Sequence, residues 1–223
     1  MVIATANHHP VTGSLLGRSV GVDGDGAAAA LAPYVAASGK TGDLSWQAGL
    51  KLFAYHEPSS QGTVFPPPDF APRPAADLAR SARTHTAWLP SVGLARRLSP
   101  AVTLVASYGR TQIRPYAYLP LFNLYNRHRE TFQAAGVTVD DLFAGYAMET
   151  ADTIELAARV RKGALALRPA AFVAWHRDLL TTVDDPRVGL SYFQNAGAAT
   201  GTGIELEASL SLAEGVTLFC HPS

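Results

Sequence analysis

The chain has 223 residues, enough for one or two ordinary soluble domains. Its 18 Lys and Arg balance 18 Asp and Glu, so the basic surplus that a nucleic-acid partner demands is missing. The single cysteine, Cys220, excludes an internal disulfide and a multi-cysteine zinc site, and no apolar run approaches the roughly 18 residues of a membrane helix.

Met1 to Pro10 (MVIATANHHP) carries no basic residue before an apolar core and is not a secretory signal, so the chain is expected to lack its own means of export. His8-His9 is a histidine pair without further ligands, and Val22 to Gly26 (VDGDG) has Asp23 and Asp25 but not the downstream ligands of a calcium loop. A first strand is expected over Ala27 to Ala37, then a turn at Ser38 to Asp43 and a strand over Leu44 to Tyr55. A long loop, His56 to Arg83, follows, stiffened by Pro66-Pro67-Pro68, Pro72 and Pro74. Strands over Thr84 to Arg96 and Ala101 to Ile113 flank a turn at Arg97 to Pro100. The longest loop, Arg114 to Ala151, leads to strands over Asp152 to Arg161 and Ala164 to Arg177, joined by Lys162-Gly163. A third long loop, Asp178 to Thr200, precedes a strand over Gly201 to Leu212, a turn at Ala213 to Gly215 and a stub from Val216.

These strands alternate. In Gly203 to Leu212, Ile204, Leu206, Ala208, Leu210 and Leu212 oppose Glu205, Glu207, Ser209 and Ser211. In Thr153 to Arg161, Ile154, Leu156, Ala158 and Val160 oppose Thr153, Glu155, Arg159 and Arg161. A side-chain period of two gives a sheet with one apolar and one charged face. A soluble sandwich covers its apolar face with a second sheet; a transmembrane barrel leaves that face to lipid and turns the charges to a wet lumen. Short turns at one end and long loops at the other, with strands longer than the soluble norm, favour the barrel. Phe53, Tyr55, Trp88, Tyr108 and Trp175 cluster near the strand ends on the long-loop side, where a lipid–water boundary suits aromatic rings. The fold expected is all-β: a segment of an antiparallel transmembrane β-barrel with about seven or eight strands and long extracellular loops.

Several pieces, in order, resemble the β-barrel of TonB-dependent outer-membrane receptors: Pro90 to Leu94 (PSVGL), Thr103 to Arg110 (TLVASYGR), Arg114-Pro115, Glu149 to Leu156 (ETADTIEL), Ala171 to Leu180 (AFVAWHRDLL), Tyr192 to Gly197 (YFQNAG) and Gly203 to Ala208 (GIELEA). The resemblance is firm over residues 89–219 and treats 1–223 as one barrel segment. Met148 stands where that family has a proline before Glu149. The resemblance implies uptake of a ferric siderophore or similar metal chelate by a complete receptor in the outer membrane, with lipid and the chelate as partners and the TonB complex engaging only the full-length protein. Neither the family's plug domain nor its TonB box is visible, Ser223 is not its aromatic ending, and complete plugged barrels have roughly 22 strands. A truncated chain, not transport-competent alone, is expected.

On that reading Glu155, Arg159, Arg161, Glu205 and Glu207 face the lumen and form an ion-pair lattice. Arg127, His128 and Arg129, within NRHRE, and the nearby Tyr116, Tyr118 and Tyr125 are the candidate contacts for an anionic chelate on an outer loop. Trp175-His176 reads as an interfacial anchor. No catalytic motif is present, Asp140-Asp141 and Asp184-Asp185 read as solvated turn formers, and no cofactor or metal site is expected. A passive porin-like or adhesin-like barrel and a soluble β-sandwich binding module remain the alternatives.

Overall fold

The computed structural model describes residues 2–5, 11–15, 18–24, 28–66, 68–114, 118–213 and 215–221; His8, His9, Asp25 and Tyr116 lie outside them. Its strands are β1 (Val2–Thr5), β2 (Val11–Leu15), β3 (Arg18–Gly24), β4 (Ala28–Leu31), β5 (Tyr34–Thr41), β6 (Leu44–Glu57), β7 (Ser60–Phe65), β8 (Arg73–Pro74), β9 (Arg83–Ser99) and β10 (Val102–Ile113). Three helices follow, α1 (Tyr118–Arg127), α2 (Arg129–Ala134) and α3 (Val139–Ala144), and then β11 (Glu149–Lys162), β12 (Leu165–Asp185), β13 (Leu190–Ala213) and β14 (Val216–Cys220).

One antiparallel sheet runs β1-β4-β6-β9-β10-β11-β12-β13-β14, with β5 also paired to β6. Among the described residues β1 and β14 end the path, so this sheet is not closed. Strands β2, β3, β7 and β8 form a second, four-stranded sheet. The single strand expected over residues 27–37 is split. Pro33 interrupts it, and the chain then continues along the same edge of β6, where the Leu52 amide donates to the Pro33 carbonyl at 3.0 Å. The turn expected over residues 38–43 shrinks to Gly42-Asp43, because β5 pairs as far as Thr41↔Leu44. Gly42 and Gly163 each sit at φ +58, the left-handed value that a two-residue hairpin turn requires.

Register fixes the two faces, since directly paired residues share one. Leu104 pairs with Ala158, Ala106 with Leu156 and Tyr108 with Ile154; Ile154 continues to Val173 and Leu156 to Ala171. Ala171 pairs with Ile204, and Pro169 with Leu206. The apolar face so defined is bare: Ile204 is 78% exposed and Leu156 61%. Among the described residues no second sheet covers these side chains, as a sandwich would require. The opposite face carries Ser107, Glu155, Phe172 and Gly203 in one cross-strand row. Of the five aromatics expected to form a belt, Trp88, Tyr108 and Trp175 lie on the apolar face. Phe53 and Tyr55 do not, because they pair with Ala87 and His85 on the polar face.

The buried core lies elsewhere. Leu78, Leu121, Phe122, Tyr125, Phe132, Val137, Val139, Leu142, Phe143, Tyr146, Val188 and Tyr192 form one cluster drawn from the three segments expected to be loops. Residues 114–151 carry three helices, each too short to show a helical apolar stripe in sequence. Residues 178–200 are no loop at all. They extend β12 and β13 into a long hairpin closed by a turn at 186–189, with Gly189 at φ 65. A bulge near Asp178, itself at φ 55, shifts the register there and re-aims the hairpin toward the helices. The result is a small head, with an ordinary globular core, at the end of the sheet opposite the short turns.

Candidate functional site

Two regions gather chemistry-bearing side chains. On the polar face, Arg168 of β12 reaches across both neighbours, donating to Glu155 Oε1 at 2.6 Å and to Glu207 Oε1 at 3.0 Å. Arg168 was missing from the sequence reading, although period-two counting from Ala166 to Ala170 places it on the charged face. Arg159, Arg161, Arg168 and Glu207 line a recess of about 580 Å³. Glu205 lies on the same face, paired with Ala170. Thus Arg168 is the hub that joins Glu155 to Glu207.

The head is tied together by carboxylates. Asp77, in a single 3-10 turn (Ala76–Leu78), accepts two hydrogen bonds from Arg129, each 2.6 Å, one from Gln133 at 3.0 Å and one from the Tyr125 hydroxyl at 3.2 Å. Bidentate guanidinium–carboxylate pairing is among the strongest polar contacts available, and here it clamps the 57–82 segment to the helices. Asp140 accepts from the Ser81 amide and hydroxyl at 2.8 and 3.0 Å and pairs with Arg83 at 2.9 Å. Asp141 completes a capping box with Thr138 at the start of α3. Asp185 is buried and accepts from Arg187 at 2.6 Å and from the Tyr192 hydroxyl at 2.6 Å. The reading of Asp140-Asp141 and Asp184-Asp185 as solvated turn formers therefore fails for Asp140 and Asp185; Asp141 is exposed but caps a helix, and the exposed Asp184 holds Ser191 at 2.6 Å.

The candidate ligand contacts separate. Tyr125 is 0% exposed; its ring stacks on Phe132 and its hydroxyl shares its one proton between the Val137 carbonyl and the Asp77 carboxylate, so it cannot meet a ligand. Arg129 is committed to Asp77. Neither contact was visible in the sequence, because the partners lie 52 and 12 residues away. Tyr118 opens α1, His128 is half-buried at the start of α2, and Arg127 is exposed in the last turn of α1. Beneath the head, the Arg114 guanidinium lies 4.1 Å from the centre of the Tyr55 ring, a contact the sequence did not announce.

Burial alone would raise the Asp77 carboxyl, but the hydrogen bond and charge of Arg129 bring it below its ordinary value of 3.8. Burial likewise opposes, and Ser81 and Arg83 overcome, the shift at Asp140. Thr138 lowers Asp141, and Arg187 lowers Asp185. Burial pushes the Tyr146 hydroxyl up to about 12. All four carboxyls have lower values folded than unfolded. Their stabilisation is therefore complete above 3.8 and is lost as pH falls through the lower folded values. The head is expected to hold its near-ultraviolet circular dichroism down to about pH 4 and lose it progressively below, while strand signal persists. A head unaffected at about pH 2 would show that these contacts contribute little.

A family model described as TonB dependent receptor-like, beta-barrel, matches residues 7–219. No curated protein matches the chain by sequence. Among solved structures, the ferric yersiniabactin uptake receptor FyuA from Yersinia pestis aligns over 92% of this chain with a TM-score of 0.59 at 15% identity, and 27% of its own length is covered. The FrpB iron transporter from Neisseria meningitidis aligns over 88% of this chain with a TM-score of 0.54 at 18% identity, with 24% of its length covered. The chain thus spans about a quarter of each of these structures. Such identities speak for the fold alone, and the fold agrees with the bare apolar face and the charged opposite face described above. By the match over residues 7–219, the chain belongs to the TonB-dependent receptor β-barrel family.

Proposed function

We propose that this chain forms part of the wall and the outer head of an outer-membrane receptor that takes up a ferric siderophore or a similar metal chelate. The observation that carries this reading is a compact, polar-clamped head standing on a sheet whose apolar face suits lipid and whose other face is charged. FyuA and FrpB, whose names describe ferric uptake and iron transport, support it by fold. Lipid surrounds the apolar face. The lattice centred on Arg168, with Arg159, Arg161 and Glu205 beside it, faces the lumen. The TonB complex acts on the complete receptor.

Within the head, Arg127 is the ligand-facing charge, with His128, Tyr116 and Tyr118 near it in the chain. Arg129 and Tyr125 act behind Arg127 by fixing α1 and α2. Arg127→Gln is expected to weaken binding of an anionic ferric tris-catecholate about tenfold and to leave an uncharged ferric tris-hydroxamate unaffected, read by quenching of tryptophan fluorescence in detergent. Equal binding of the anionic chelate by both proteins would remove Arg127 from the site.

A further inference from the structure

The last cross-strand rows of the apolar face below the head are not apolar. Arg110 pairs in register with Asp152, and Asp152 with Trp175. Asp152 is 5% exposed and accepts from Arg110 Nε at 2.8 Å, from its terminal nitrogen at 2.9 Å, and from the Tyr108 hydroxyl at 2.7 Å. The Arg177 guanidinium lies 3.3 Å from the same carboxylate. Two guanidiniums therefore share one buried carboxylate, leaving one positive charge in excess. The side chains of Arg177 and Arg110 are 58% and 30% exposed. Directly below them the face is bare hydrocarbon: Ile154, Leu156 and Ile204 are 40%, 61% and 78% exposed, with Trp175 at the boundary.

An excess guanidinium beside a lipid-facing surface is costly unless an anion meets it. Its planar fork matches phosphate oxygens, and the apolar strip below matches acyl chains. We propose that the Arg110–Asp152–Arg177 cluster seats the net anionic phosphate headgroup of a lipid in the surrounding leaflet, with its chains lying along Ile154, Leu156 and Ile204. Asp152 is a positioning residue: it holds the two cations side by side, and the free donors of both face the headgroup. This rests on the membrane reading above and adds a defined lipid site to it.

The chain is first folded into phosphatidylcholine vesicles, with insertion read by protease protection. Its affinity for a labelled phosphatidate in neutral detergent is then measured. Arg177→Gln is expected to bind about fivefold more weakly, since it keeps the Arg110–Asp152 pair and the fold. Arg110→Gln, Asp152→Asn and Arg177→Gln together remove the cations without stranding the buried carboxylate, and should cost tenfold or more on the same roughly additive scale. Arg96→Gln, on the same face at the short-turn end, should bind as the parent does. The proposal is overturned if the triple variant binds phosphatidate as tightly as the parent, if phosphatidylcholine binds equally well, or if inorganic phosphate competes at equal concentration. Failure to insert into any vesicle would bring down the membrane reading and this site together; insertion without headgroup preference would bring down the site alone.

Discussion

Phe132→Ala is expected to destabilise the head by about 3–5 kcal/mol, the usual result of emptying a fully buried aromatic site. Phe132 is 0% exposed, stacks on Tyr125 at 4.9 Å between ring centres and meets Tyr192 at 6.4 Å. It therefore joins the helices to the β12–β13 hairpin. The pairing of β10, β11 and the part of β12 before Asp178 takes no support from that contact, so the loss should stay within the helices and the tip of the hairpin. Hydrogen exchange checks this: amides of α1, α2 and α3 should lose protection, while those pairing β10, β11 and β12 keep theirs. Uniform loss across both regions would mean that head and sheet unfold as one unit.

Leu156→Arg is expected to cost about 2–4 kcal/mol in lipid, the penalty for a cation on the outer face of a barrel near mid-depth. Leu156 sits midway along β11, on the bare apolar face. Ser107→Arg provides the contrast, because Ser107 pairs with Glu155 on the charged face. There a new cation gains an opposite-charge neighbour and should cost less than about 1 kcal/mol. Urea titrations of the chain folded into lipid vesicles measure both. Equal costs would contradict the assignment of faces.

The wall was legible because its physics is local. Period-two alternation in residues 153–161 and 203–212 assigned both faces without knowledge of any partner strand, and the register in the structure agrees. The head was not legible, for three reasons. Its helices have 10, 6 and 6 residues, too few for a helical period to stand out. Its clamps are non-local, since Asp77 waits for Arg129 and Asp140 for Ser81 and Arg83. Finally, Thr181, Thr182, Asp184 and Asp185 have loop-like composition but pair with residues 190–194, and the sidedness of that hairpin is reset by the bulge near Asp178. The same non-locality explains why Tyr125 and Arg129 resembled ligand contacts. A tyrosine and an arginine in a polar stretch show their chemistry in sequence, but not which partner has already claimed it.

The lengths of β12 and β13, 21 and 24 residues, carry a mechanical consequence. At about 3.3 Å per residue the shorter strand spans roughly 70 Å, well beyond the 25 Å apolar band of a barrel. Its pairing continues from Leu165↔Leu210 to Asp185↔Leu190, interrupted only by the shifts near Asp178. Such a hairpin acts as a stiff mast stepped into the wall. An axial pull on its tip is resisted in shear, with the load shared along the ladder, whereas a sideways push becomes a bending moment concentrated at the kink. A sideways displacement of the tip is thereby taken up at the bulge near Asp178, and an axial one by the paired ladder on either side of it.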